Sequence, residues 1–502
     1  MGDAWGATDR RESGFGRRLG RAAAVRAALA LLFLAVAALG AARVWAADGE
    51  WVKVGLNYGG STKAVGAISA AKGFVLGTFD EEGFHEGMPL PGYSDISVAL
   101  SGRYASLTAD GLLVSDDFGG GCVMPIDYKE GGGIQYDGAW YRGGLAFTVN
   151  SNNTINVINC LSMEEYLYGV VAAEMGKSNP AEALKAQAVA SRSFAARKLE
   201  THGDSGFDLC ATSHCQSYKG RAGEQAETSR AVDDTRGLAL SSGGAFVSGY
   251  YFKNSGGHTQ NSEDVWNDRL AYLRGVADEF SPVYAWTWKA SFQEIKAALT
   301  AAGAGDLGEV RRVEISKRDA SGHVQELKVV GSGGTASLSK ERIRTVLGGA
   351  NVKSLMFSFA NGTGDAAAGA VGAAGASSSP ASGELRATDG VSQARLRGQV
   401  RVLSAKGESV GVDAASLRAL GAAGGTTGGA GASFTVGGPA GDGAMAGGYL
   451  SVESGTAEFV GRGYGHGVGL PQDSAIEMAK QGYGYLDILK KYYTGTDVAA
   501  MY

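Results

Sequence analysis

The sequence predicts an α+β fold, and three observations carry that reading. Residues 48–130 consist of short alternating segments separated by glycine turns, the pattern of strands. Residues 181–199 form one continuous run of high helix propensity, rich in alanine. Residues 308–358 then alternate between strand-like and helix-like periodicity. A chain of 502 residues exceeds the roughly 100–200 of one domain, so several regions are expected.

The first of these regions, residues 1–47, differs in kind from the rest. Arg10, Arg11, Arg17, Arg18, Arg21 and Arg26 precede an uncharged run from Ala27 to Ala42. A basic stretch followed by an apolar one reads as an export signal. The small residues near Ala46 and Ala47 offer a cleavage site, and extension through Val44 brings the run towards the roughly 20 residues of a spanning helix. Cleaved signal and retained anchor both stay open. In either case the positive-inside rule sends the remainder out of the cytoplasm, membrane-anchored or secreted. The membrane is then a partner only if the segment is retained. A net charge of -5 and the lack of any basic face exclude nucleic acid as a partner.

Residues 48–130 read as a small β-rich module: Trp51 to Leu56, Gly73 to Phe79, and Tyr104 to Val114 with a turn at Asp110-Gly111. It carries no catalytic pattern, and a spacer role is expected. Residues 131–358 follow as the main domain. Strands at Tyr141 to Val149 and Ile155 to Leu161 lead to the apolar stretch Glu165 to Met175. Further helices are predicted at Gln225 to Thr235 and over 286–302, and a hairpin across Ser242 to Gly244. Residues 359–450 are Gly/Ala-rich and of low complexity, with one small strand pair, Val400 to Ser404 and Ser409 to Val412. They read as a flexible insertion in a surface loop. Residues 451–502 restore order, with helices at Gln472 to Lys480 and Tyr485 to Tyr493. Met356 to Phe359 and Ala457 to Val460 are expected to be partner strands, so that this segment completes the domain begun near residue 131.

Within that domain Glu174 is a lone carboxylate on an apolar segment, just before a strong helix start. Asn179 is placed to cap that helix, Pro180 to occupy its first position, and Glu182 to close a capping box. Leu184, Ala188 and Val189 form a buried stripe at helical spacing. An acid packed against such a stripe is desolvated, which raises its pKa and suits a general acid. A helix-flanking surface glutamate would look the same locally. The neighbouring Glu164 and Glu165 read as solvated strand-edge charges.

Cys210 and Cys215, with His214 and the earlier His202, make a donor set suited to tetrahedral zinc. A Cys210–Cys215 disulfide in an exported protein is the competing reading, and both remain open. Four protein ligands would leave no position for water, so any such zinc would be structural.

Five stretches occur in one order: Tyr166 to Met175, Ala183 to Phe194, His214 to Tyr218, Asn254 to Thr259, and Gly463 to Leu470. Together they resemble the stage II sporulation protein D/LytB family over about 131–358 and 451–496. The resemblance implies a crescent- or cleft-shaped domain and a peptidoglycan lytic transglycosylase of sporulation-linked wall remodelling. Glu174 matches the family's catalytic glutamate. It would protonate the glycosidic oxygen, then accept a proton from the muramic-acid 6-hydroxyl as a 1,6-anhydro ring closes. Arg192, Gln216, Tyr218, Ser255, Gly256, Gly257, Thr259, His466 and Gln472 are the expected glycan-binding residues. Tight backbone packing is the competing account of the glycine-flanked ones. The family likeness also supports the zinc set, although the spacing from His202 to Cys210 is longer than usual. Pro471 and Asp473-Ser474 depart from the family pattern. The expected partners are glycan strands and other wall-remodelling proteins. LytB-type members suggest a second function, a non-catalytic wall-binding enhancer of an amidase.

Overall fold

A computed structural model of the protein describes residues 51–363 and 451–502, apart from 61–63, 81 and 454. Within 364–450 it describes only the backbone of short strands. The predicted signal or anchor segment, 1–47, lies outside the described residues. Among the described residues no helix is long and apolar enough to cross a membrane.

Two sheets dominate the N-terminal third. Seven strands lie in the order Leu209–Cys210, Trp51–Asn57, Ile155–Ser162, Gly144–Val149, Gly121–Pro125, Gly73–Asp80, Gly83–Pro91. Six more run in the order Ala139–Tyr141, Ile134–Tyr136, Ala64–Ala70, Asp95–Ser101, Tyr104–Ala109, Leu112–Ser115. Their apolar faces share one core, with Phe74, Leu76, Val123, Leu145 and Phe147 from the first meeting Val65, Ile68, Ile96, Val98 and Leu107 from the second. The strict alternation along Asp95–Ser101 is the signature of a strand with one buried face. The turn at Asp110-Gly111 is as expected, with both residues at positive φ.

The expected boundary at residue 130 does not separate two bodies. Trp51–Asn57 pairs antiparallel with Ile155–Ser162 and parallel with Leu209–Cys210, so the first strand of the supposed module lies inside the sheet of the main domain. Sequence alternation identifies a strand but not its partners, which are set by long-range pairing.

Among the described residues the helices of eight residues or more are α1 (Met163–Glu174), α2 (Ala181–Lys198), α3 (Ala226–Asp233), α4 (Phe292–Ala301), α5 (Gln472–Lys480) and α6 (Tyr485–Tyr492). α2 is the hub. Leu184, Ala188 and Val189 are buried as the stripe implied, but so are Ala183, Ala186, Gln187, Ala190, Ser191, Arg192, Ser193, Phe194 and Ala195. A helix buried nearly all round needs neighbours on every side, and here α1, α3, α5, α6 and the strand Leu238–Ser242 supply them. Small alanines let those neighbours approach.

Residues 286–302 are not one helix. Ala285–Ser291 is a strand and α4 begins at Phe292, where Ser291 and Glu294 form a capping box. The alternation of Trp286 and Trp288 with polar residues was a period-2 signal. That strand and Phe357–Phe359 flank Thr456–Arg462, with Phe357 opposite Gly461 and Phe359 opposite Phe459. The C-terminal segment therefore does complete this sheet. Thr363 and Ser451 exchange backbone hydrogen bonds of 2.8 and 2.9 Å, so the inserted stretch leaves and re-enters at one point. Loop closure costs little more for a long loop than a short one, which makes such a place tolerant of insertion. Within it, Gln399–Leu403 pairs antiparallel with Ser409–Asp413.

Candidate functional site

α1 starts where Ser162 and Glu165 form a reciprocal cap, and it buries Met163, Tyr166, Leu167, Val170 and Val171. It ends at Glu174. Asn179 does not cap α2; its amide donates to the Met175 carbonyl at 2.6 Å, closing the end of α1 instead. Pro180 is the N-cap of α2, and Glu182 reaches away to accept the Tyr485 N–H at 2.8 Å, capping α6. The capping-box reading was local, whereas the orphan donor nearest Glu182 belongs to a helix 303 residues on.

The Glu174 carboxylate is half-buried. Its Oε1 accepts the Ser217 N–H at 2.8 Å, and its Oε2 accepts a longer contact of 3.4 Å from the Gln472 amide, 298 residues away. Behind it runs a chain of buried polar groups. Gln472 donates to Gln187 at 3.4 Å, and Gln187 donates to the Ser191 hydroxyl at 3.0 Å. Gln216 donates to the Tyr251 hydroxyl at 3.0 Å and accepts from the Tyr166 hydroxyl at 3.3 Å. Burial, and then the Glu174 charge, hold the Tyr251 phenol well above its usual range. Gln216 and Gln472 were expected here; Ser217, Gln187, Ser191 and Tyr251 were not. A glutamine in the middle of an alanine-rich helix was the available signal for Gln187. The Ser217 N–H is a backbone group and left none.

Other expected glycan-binding residues are occupied inside the protein. Arg192 has no exposed surface: it makes a bidentate pair with Glu164, at 2.8 and 2.6 Å, and donates to the Leu238 carbonyl at 2.9 Å. It cannot touch a glycan, and Glu164, 3% exposed, is not a solvated charge. Tyr218 is buried, with its hydroxyl on Asn159 at 2.7 Å.

The two glycine motifs meet each other. Asn254 and Tyr464 exchange backbone hydrogen bonds. Gly256, at φ +67°, and Gly463, at φ +85°, would each drive a Cβ to within 2.9 Å of the other strand's carbonyl or its own partner loop. Tight backbone packing accounts for them, whereas the position of a Gly257 Cβ is open. Thr259 exchanges hydrogen bonds with Val276 at 2.9 Å. Ser255 donates to Asp278 at 2.5 Å, and the same carboxylate accepts from Ser474 at 2.6 Å and Tyr492 at 2.8 Å. His466 has both nitrogens engaged: Nδ1 accepts the Val468 N–H at 3.1 Å, and Nε2 lies 3.0 Å from the Tyr251 carbonyl. That pattern fixes a neutral ring protonated on Nε2. Burial, then the Arg344 charge, push its pKa down to about 4.

The departures at Asp473-Ser474 also find a reason. Asp473 pairs with Lys253 at 2.7 Å and accepts from Asn254 at 3.0 Å, while Ser474 is the donor to Asp278. Both residues pin the start of α5, and with it Gln472, to the 253–257 loop.

The second cluster lies two residues before Ser217. His202, Cys210, His214 and Cys215 bring one donor atom each to within 4.8 Å of all the others. Cys215 Sγ is 3.5 Å from His202 Nε2, and His214 Nδ1 is 3.6 Å from each sulfur. Bonds of about 2.3 Å to sulfur and 2.1 Å to nitrogen set S···N edges of about 3.6 Å in a tetrahedron. These three sulfur–nitrogen distances match the edges of a tetrahedral zinc site, and the chemistry of the donor set suits that ion. Both cysteines are free thiols, without the alternative disulfide. Burial pushes the Cys210 thiol up, but hydrogen bonds from Thr212, Tyr58 and His214 outweigh it and bring it down to about 5. Phe207 stacks on His202 at 4.8 Å and holds that ring in place.

Comparison with known proteins adds an independent line. The family model of the stage II sporulation protein matches residues 151–241, and that of a domain of unknown function matches 254–370. An uncharacterized protein of Brachyspira hyodysenteriae is 32% identical over 265 residues, 51% of this chain and 70% of that protein. The amidase enhancer of Bacillus subtilis is 24% identical over 392 residues, 75% of this chain and 46% of its own length. Stage II sporulation protein D of Bacillus subtilis is 34% identical over 145 residues, 25% of this chain and 42% of that protein. The chain spans about half or less of these last two relatives.

Proposed function

The chain belongs to the stage II sporulation protein D/LytB family, and from that premise we propose that it is a lytic transglycosylase of the cell envelope that cuts peptidoglycan glycan strands. The observation that carries this reading is Glu174, a half-exposed carboxylate with one oxygen fixed by the Ser217 N–H, the other met at 3.4 Å by Gln472, and the Tyr251 phenol in side-chain hydrogen-bonding reach of the carboxylate. The looser Oε2 is the oxygen free to carry and deliver a proton. It protonates the glycosidic oxygen as the bond breaks through an oxocarbenium-like state. The carboxylate then accepts the proton of the muramic-acid 6-hydroxyl as that oxygen closes the 1,6-anhydro ring. The sugar supplies the nucleophile, so one carboxylate suffices.

His202, Cys210, His214 and Cys215 would hold a structural zinc. Bound there, the ion would cross-link the loop whose Ser217 N–H orients Glu174. One zinc per chain by metal analysis is the expected result, with the melting temperature lowered by a chelator and by Cys210→Ser. No zinc in freshly purified protein would remove this assignment.

The full chain incubated with denuded glycan should release anhydro-muramyl products identified by mass spectrometry. An identical product trace from Glu174→Gln would sink the enzymatic reading. A second reading rests on the amidase enhancer, the relative matched over 75% of this chain. In that case stimulation of an amidase on cell walls would survive Glu174→Gln.

A further inference from the structure

We propose that Trp140 and Arg221 form a second, distal binding platform for the glycan strand, taking a pyranose ring on the indole and a carboxylate-bearing neighbour on the guanidinium. The inference rests on the glycan-binding part of the reading above, not on its catalytic part.

Trp140 lies on Ala139–Tyr141, the terminal strand of the six-stranded sheet, opposite Gln135 and 41% exposed. An exposed indole alone carries little; what stands beside it carries more. A Cβ on Gly133 would stand 2.8 Å from Arg221 Nη1 and 3.4 Å from Trp140 Cε3, so this residue is the bare floor between ring and guanidinium. Arg221 spends one contact on the Gly131 carbonyl, at 3.3 Å, and makes no ion pair among the described residues. Most of its five N–H donors remain for a ligand. By contrast the nearby Arg142 is locked to Glu224 by two hydrogen bonds of 2.9 and 2.8 Å.

The chain path links this platform to Glu174. Ser217, whose N–H holds the carboxylate, is four residues before Arg221, a span of at most about 14 Å. The short turn Gly220–Gly223 packs between the end of α1 and the platform strand, with a Gly223 Cβ position 3.5 Å from Ala172 and a Gly220 one 2.5 Å from the Trp140 carbonyl. A glycan strand lying along this turn meets the acid at one end and the platform at the other. Flat aromatic faces suit sugar rings, and a planar guanidinium suits the lactyl carboxylate of muramic acid.

The test uses the full chain carrying Glu174→Gln, so that binding is read without turnover, titrated calorimetrically with long denuded glycan strands. Adding Trp140→Ala should raise Kd about tenfold, the effect of one lost stacking contact. Trp140→Phe, which keeps a ring, should recover most of that loss. Arg221→Gln should abolish the preference for these strands over neutral chitin oligosaccharides. Tyr104→Ala, an equally exposed aromatic on another strand, should bind like the parent. Unchanged affinity in Trp140→Ala, or an equal loss in Tyr104→Ala, would overturn the platform. Failure of the wild type to release anhydro products would instead remove the enzymatic reading and leave this binding difference standing.

Discussion

Glu174 and Asp278 are both carboxylates to which the C-terminal segment reaches back, and the two are held in opposite ways. Asp278 is 3% exposed and accepts from three hydroxyls, those of Ser255, Ser474 and Tyr492, at 2.5 to 2.8 Å. Glu174 is half-buried, with one short bond from a backbone N–H, one long contact from an amide and the Tyr251 phenol beside it. A carboxylate saturated by short donors is a fastener: its charge is fully used, and it ties the 255–257 loop, α5 and α6 together. A carboxylate with a loosely held oxygen on an accessible side can exchange a proton with a ligand. Chemistry is expected at the second, and mechanical support for it at the first.

Exchange of their side chains for neutral ones should therefore separate the two. The largest expected effect is on activity in Glu174→Gln, a loss of about 10²–10⁴-fold in glycan cleavage, the span of general acid–base contributions. Its melting temperature should stay at the wild-type value, because glutamine still accepts the Ser217 N–H. Asp278→Ala should do the reverse. Three buried hydroxyls lose a charged acceptor at about 1.5–3 kcal/mol each, partly recovered by relaxation, so a loss of about 3–5 kcal/mol in urea denaturation is expected. Its residual activity should track the folded fraction. A folded Asp278→Ala with no activity would break the distinction.

The pH dependence sharpens it further. His466 is held neutral, its pKa near 4 in the folded protein against about 6.5 unfolded. Between those values the unfolded chain binds a proton that the native one refuses, so stability falls as pH drops from about 6.5 towards 4. A loss of about 2–3 kcal/mol across that window follows from a depression of roughly two units. Denaturation midpoints at pH 7 and pH 5 should show it, and His466→Asn should flatten the slope. The smallest effect is expected for Gln472→Ala. Loss of the longer contact to Glu174 should lower kcat about tenfold, the scale of misplaced catalytic groups rather than missing ones, with stability little changed. An effect on kcat as large as that of Glu174→Gln would make Gln472 more than a positioning residue.

Recognition from sequence succeeded wherever a local pattern had one structural meaning. The helix over 181–198 was legible in helix propensity and the strands at 144–149 and 155–162 in residue pattern, whereas the pairing of Phe357–Phe359 with Thr456–Arg462 was legible only because a low-complexity stretch separates two strand-like segments. The four donors of the cysteine–histidine cluster were legible in residue type, and the fold brings them together. Polar residues inside the motifs were less readable. Arg192, Tyr218, Ser255 and Thr259 are buried and bonded inside the protein, a constraint as strict as ligand binding and indistinguishable from it in one chain.

The sequence by itself determined the α+β class, the place of the insertion and the metal-type donor set, since each depends on residue identity or short-range spacing; Glu174 was singled out as the candidate acid by the resemblance of five motifs rather than by its own surroundings. Tertiary structure decided which polar groups face solvent, which helix Glu182 caps, and that Trp51–Asn57 belongs to the main sheet. It also decided that Ser217 and Gln472 are the donors that leave Glu174 Oε2 loosely held. Those outcomes depend on which segments, up to some 300 residues apart, come to lie within hydrogen-bond reach. Desolvation and pairing act through such distances, and no local pattern encodes them.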